Sequence, residues 1–110
     1  MAVMTTLSKD GKTLTIGISN RFDITTYKNF TQAFKDKQSH SAENLRLLSR
    51  VVVDLSEVNS VDAAALGMLV MLREEATANM IDLIISNCGS DVKEIFTACG
   101  LEKVFKVDRP

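Results

Sequence analysis

Asp62 is the ionisable residue whose surroundings give it a defined chemical task. It stands between a β-branched apolar run, Val51-Val52-Val53-Asp54-Leu55, and the stretch from Ala63 to Leu72, where nearly every residue is apolar or a good helix former. At such a boundary a carboxylate accepts hydrogen bonds from the orphan N–H groups of the first helical turn and lies at the positive end of the helix dipole. The other candidates for chemistry are poorly placed. Glu74 and Glu75 are adjacent, so on a helix they diverge by about 100° and read as a solvated face. His40 falls in a polar, aperiodic stretch and reads as a solvated loop histidine. Cys88 and Cys99 have no CxxC spacing and only His40 as a possible nitrogen ligand, so both read as core thiols rather than as a zinc site or a disulfide framework. The chain has no GxSxG, Walker A, GxGxxG or HExxH pattern. It therefore reads as a non-enzymatic module without cofactor or metal, whose working part is the turn at Asp62.

Composition narrows the class of partner. The 110 residues carry 13 Lys and Arg scattered among 14 Asp and Glu, for a net charge of −1. A nucleic-acid binder would show a basic excess or a basic stripe, so nucleic acid is not expected as a partner. A length of 110 residues with 45% hydrophobic side chains predicts one globular domain over 1–110. The N-terminus lacks the basic and apolar regions of a signal peptide, and no apolar run reaches spanning length. These features predict a cytoplasmic protein without direct membrane insertion.

The elements that must hold the turn follow from periodicity. Val3 to Ser8 and Thr13 to Ser19 are β-rich runs joined by Lys9-Asp10-Gly11-Lys12, a hairpin signal. Asn20 to Thr26 is expected to leave the sheet and enter a helix carrying Tyr27, Phe30, Ala33 and Phe34, with Asp23, Thr25 or Thr26 as its cap. A polar loop is expected from Asp36 to Asn44. Val51 to Leu55, apolar without alternation, predicts a central parallel strand buried on both faces. A short polar turn and a helix covered on most sides, running to about Ala78 and stopped at Asn79, should follow. Ile81 to Ser86 predicts a strand, Ser90 an N-cap, and Val92, Ile95, Phe96 and Cys99 a helical stripe ended by Gly100. Val104 to Val107 predicts a last strand. The order β, β, α, β, α, β, α, β is an α/β pattern: a mixed sheet with an N-terminal antiparallel hairpin plus parallel strands, its helices mainly on one face and the other face relatively open. Asp23 should then lie near Asp62, Ala63, Ala64 and Leu66 at one end of that sheet, where crossover loops gather.

The stretch Asp54-Leu55-Ser56 through Asp62-Ala63-Ala64-Ala65-Leu66-Gly67 resembles the signature of STAS domains, the family of bacterial anti-sigma factor antagonists. Its usual form is a strand ending Asp-Leu-Ser, a few residues, then Asp-Ser-Ser-Gly-Leu-Gly or Asp-Ser-Ala-Ala-Leu-Gly. Arg21-Phe22-Asp23 resembles the family's element before its first helix, and the run from Ser90 to Phe105 resembles its closing helix, turn and strand. The resemblance spans essentially the whole chain and implies a STAS-type fold.

It also implies a partner-switching cycle. In that cycle an unphosphorylated antagonist binds a GHKL-type serine kinase that doubles as anti-sigma factor, phosphorylation of the serine after the Asp breaks the complex, and a PP2C-type phosphatase restores it. Here that serine position is Ala63. The resemblance thus implies a protein held in the unphosphorylated-like, binding-competent state. It would be either an engineered Ser-to-Ala variant, favoured by the regularity of the remaining motif, or a natural member that has lost phosphoregulation. The implied partner-binding residues are Asp23, Thr25, Ser60, Asp62, Ala63, Ala64, Leu66 and Gly67, with Ser60 and Ser56 the local alternative hydroxyls. The alternative is a STAS subunit of a lipid-transport ABC assembly, where the family's serine is often absent.

Overall fold

A computed structural model describes residues 3–32, 48–100 and 106–108. Strand β1 (Val3–Leu7) runs antiparallel to β2 (Thr13–Phe22), and β2, β3 (Arg50–Val61), β4 (Asp82–Ser86) and β5 (Lys106–Asp108) are mutually parallel in the order β1-β2-β3-β4-β5. The 3-10 turn Ile24–Thr26 leads into helix α1, described over 27–32; α2 is Ala63–Ala78 and α3 is Ser90–Ala98. The expected element order and mixed sheet are therefore what the chain forms. The expectations for Ala33, Phe34, the 36–44 loop with His40, and Val104-Phe105 lie outside the described residues.

The hairpin closes as its sequence dictates. Gly11 takes φ 74°, which costs glycine nothing, and the Asp10 carboxylate accepts from the Ser8 hydroxyl at 2.6 Å and the Lys12 N–H at 3.0 Å. Beyond the hairpin, one sheet face is buried and the other is not. Leu14, Ile16, Ile18, Val51, Val53, Leu55 and Ile85 are almost fully enclosed, packed with Phe30 of α1, Ala65, Leu69 and Leu72 of α2, and Val92 and Phe96 of α3 in one core. On the opposite face Thr15, Gly17, Val52, Asp54 and Ile84 are half-buried. This corrects the expectation of a central strand buried on both faces: β3 alternates, and its outward Val52 is half-buried, with no helix over it among the described residues.

Several boundaries also move. β3 does not end at Leu55; Ser56 to Val61, expected as a turn, continue the strand, and Asn20-Arg21-Phe22 likewise stay in β2. Helix α2 buries Ala65, Met68, Leu69, Leu72 and Ala76 along one stripe and leaves Met71 52% exposed, so it is one-sided rather than covered on most sides. Its end at Asn79 is as expected. Ser90 is the first residue of α3 rather than its cap; Gly89 holds the cap position and makes no side-chain hydrogen bond. Gly100 follows α3 with φ 73°, as expected. Cys88 is buried, and burial pushes its thiol up to about 11. Cys99 is exposed because α3 buries only Val92 and Phe96.

Candidate functional site

The site is built where two parallel strands run out together. Arg21 pairs with Ser60 and Phe22 with Val61, after which both chains leave the sheet; the Asp62 N–H still reaches the Phe22 carbonyl at 3.4 Å. Asp23 and Asp62 are therefore the first residues past one shared strand end, and each begins a helical segment. That brings two aspartates that lie 39 positions apart in the chain to one end of the sheet.

Each Asp performs the capping chemistry its residue type allows. Asp62 is extended (φ −113°, ψ −179°); its carboxylate accepts from the Ala65 N–H at 2.9 Å and its carbonyl from the Leu66 N–H at 3.2 Å. Asp23 accepts from both the N–H and the hydroxyl of Thr25, and its carbonyl accepts from the Thr26 N–H at 2.9 Å. The Thr25 hydroxyl, its N–H and the nearby Arg21 guanidinium outweigh desolvation and hold the Asp23 carboxyl below the ordinary aspartate range. Thr26, the buried polar side chain among the described residues, ties the turn down by donating to the Arg21 carbonyl at 3.3 Å. Phe22 and Phe30 stack with centroids 5.4 Å apart and tilted rings, fixing α1 over the strand end.

The surface this frame presents is small and neutral at its centre. Ala63 is exposed at the first position of α2, Gly67 is exposed one turn later, and Ala64 and Leu66 are half-buried. A Cβ on Gly67 would meet nothing within 4 Å, so internal packing does not explain a glycine there. Thr25 and Ser60 are exposed beside Asp23 and Arg21. Arg21, absent from the sequence-derived set, belongs to the patch: its side chain is 74% exposed and its Nε lies 3.8 Å from Asp23. Its signal was adjacency to Asp23 in the Arg-Phe-Asp run. Ser56 lies further back on β3, its N–H donating to Asp54 at 3.0 Å.

Comparison with known proteins fits this arrangement. The family model described as the STAS domain matches residues 5–109. The chain belongs to the STAS domain family. A STAS-domain containing protein of Pseudomonas aeruginosa (strain UCBPP-PA14) is 33% identical over 108 residues, covering 97% of this chain and 99% of that protein. A candidate anti-sigma factor antagonist of Thermotoga maritima shares the fold with a TM-score of 0.81 at 14% identity, over 98% of this chain and 86% of that one. The Bacillus cell fate determinant SpoIIAA, solved in a phosphorylated form, superposes with a TM-score of 0.73 at 13% identity, over 99% of this chain and 92% of its own. At such identities the structural likeness establishes the STAS fold alone. In this STAS domain Asp62 caps α2, and Ala63 after it is exposed.

Proposed function

We propose that this STAS domain is an anti-sigma factor antagonist-like binding module. Its partner is a GHKL-type serine kinase that doubles as anti-sigma factor, and Ala63 holds it in the unphosphorylated-like, binding-competent state. The observation that carries this reading is Ala63 itself, exposed at the first position of α2 beside the Asp62 cap. A phosphoserine there would add nearly two negative charges and bulky oxygens. The helix start tolerates them, since they complement its dipole, but a fitted partner surface does not. A methyl keeps the patch flat, and Gly67 extends that flatness by one turn. Asp23, Thr25, Arg21 and Ser60 form its polar rim, while Ala64 and Leu66 supply apolar contact. The likeness to antagonists, one of them solved phosphorylated, supports the reading, and the family cycle adds a PP2C-type phosphatase for members that retain the serine.

The test is titration of the purified chain with the GHKL-type kinase encoded by its own genome. The native chain should bind, and Ala63→Asp should bind more than tenfold more weakly, about 1.4 kcal/mol, with its melting temperature nearly unchanged. Ala63→Ser should accept phosphate from ATP in the presence of that kinase. Equal binding by the native and Ala63→Asp chains would refute the face assignment.

A further inference from the structure

Strand β1 is an edge: it pairs with β2 along its full length, and among the described residues no strand flanks its other side. Such edges ordinarily carry a charge, a proline or a bulge that discourages pairing with another chain. Val3-Met4-Thr5-Thr6-Leu7 carries none of these, and its pairing with β2 is regular throughout. The opposite edge, Lys106-Val107-Asp108, has charged residues at two of its three positions. Met4 and Leu7 are 71% and 45% exposed, two of the five large apolar side chains left in solvent among the described residues. Thr5 and Leu7 share the helix-bearing face with Ile16 and Leu14 yet are exposed, so no described helix overhangs the edge.

We propose that β1 pairs antiparallel with β1 of a second copy of this chain, across a two-fold axis at Thr5, to make one continuous sheet. The strand is self-complementary in that register. Thr5 faces its own counterpart, Val3 faces Leu7 of the other copy, and Met4 faces Thr6; the side-chain period of two keeps each pair on one face. The Val3–Leu7 pairs prolong the buried row that Val3 already joins at 4% exposure. Charge agrees with this occupant. The charged residues nearest the strand in the sequence, Lys9, Asp10 and Lys12, sit in the hairpin turn, and an antiparallel two-fold carries the two turns to opposite ends, so they do not face each other; Asp54 and Glu57, which line a groove with Met4, lie on β3, beyond β2 from the contact. The sequence of a second copy satisfies the symmetry of an isologous contact automatically. The contact is made by β1 alone, which pairs with Leu14 to Ile18 of β2, so the pairing stands whether or not the proposed kinase binds. So narrow a contact makes a weak dimer whose population depends on concentration.

Sedimentation equilibrium of the full chain over a series of loading concentrations tests this directly. The apparent mass should rise from 12.1 kDa towards twice that value. Thr5→Lys, which sets two ammonium groups facing each other on the axis, should stay monomeric at every loading with an unchanged far-ultraviolet circular dichroism spectrum. In the native chain, amide exchange over residues 3–7 should slow as concentration rises while β3 and β4 are unaffected; this decides the matter if Thr5→Lys fails to fold. A native chain that remains monomeric, a dimer that persists in folded Thr5→Lys, or β1 exchange independent of concentration would each overturn the proposal.

Discussion

Asp54 shows what one side chain's partners do to the whole molecule's response to acid. It lies on the open sheet face, where its carboxylate accepts from the Ser56 N–H at 3.0 Å and from the Asn87 side-chain amide at 3.2 Å. Partial burial pushes its pKa up, but the hydrogen bonds from Ser56 and Asn87 together hold it below the ordinary aspartate range. A carboxyl depressed in the folded state binds fewer protons there than in the unfolded chain. Its stabilisation is therefore present above the unfolded value, near pH 4, and is lost as pH falls through the lower, folded one. Asn87 has φ 60°, a conformation that glycine also accepts, so Asn87→Gly removes the amide donor without adding backbone strain. Urea melts at stepped pH should then show a shallower loss of stability below about pH 4 than in the native chain. Identical acid slopes would show that Asn87 does not act on Asp54. None of this was legible in the sequence, because 33 positions separate the two residues and only the β3–β4 register brings them together. The Asp62 cap was legible, since its chemistry is local, and so was the missing hydroxyl at Ala63.

Among the elements, α2 ends in a motif whose residue choice is unusual. The Ile81 N–H donates to the Ala76 carbonyl at 2.8 Å and the Met80 N–H to the Thr77 carbonyl at 3.1 Å, with Ala76 and Ile81 both buried. This is a Schellman closure in which Asn79 is the C-cap and Met80 the left-handed residue, at φ 59°. α3 closes similarly, but with Gly100 in that role. Met80 is 93% exposed and so gains little from packing to offset the left-handed cost of roughly 1–2 kcal/mol. Met80→Gly should therefore stabilise the chain by about 1 kcal/mol, less whatever the freer unfolded chain takes back. A thermal or urea melt showing no gain would mean that the methionine contributes elsewhere. The helix stop was legible from Asn79, whereas the extent of β3 was not. Its buried positions run 51, 53, 55 and then 58, because β3 carries an extra residue opposite Gly17–Ser19 and another opposite Asn20–Arg21. The polar pairs Ser56-Glu57 and Asn59-Ser60 thus interrupt the alternation as a turn would, while the strand continues through two bulges. Bulges depend on the partner strand, and a period-two reading of one segment contains no information about its partner.

For the whole molecule the decisive feature is that, among the described residues, the sheet carries helices on one face only. Element order and strand direction were legible, because strand-helix-strand connections constrain topology and handedness. The unequal environment of the faces was hidden at Val51-Val52-Val53, where valine occupies inward and outward positions alike. Register separates them. Val53 pairs with Ile16 and Ile85 on the helix-bearing side and is fully enclosed, whereas Val52 pairs with Thr15 and Ile84 on the open side and is half-buried. Truncation inside a packed core loses transfer free energy and leaves a cavity, but truncation beside solvent loses only part of the first term. Val53→Ala should accordingly cost about 2–3 kcal/mol and Val52→Ala no more than about 1 kcal/mol. A difference of that size separates the two melting temperatures by several degrees in a domain of this length. Equal losses would mean that the open face is covered by something the isolated chain supplies. Unequal losses would leave Val52, Ile84 and Thr15 as a half-wet surface, separate from the strand-end patch where Asp23 and Asp62 each begin a helical segment.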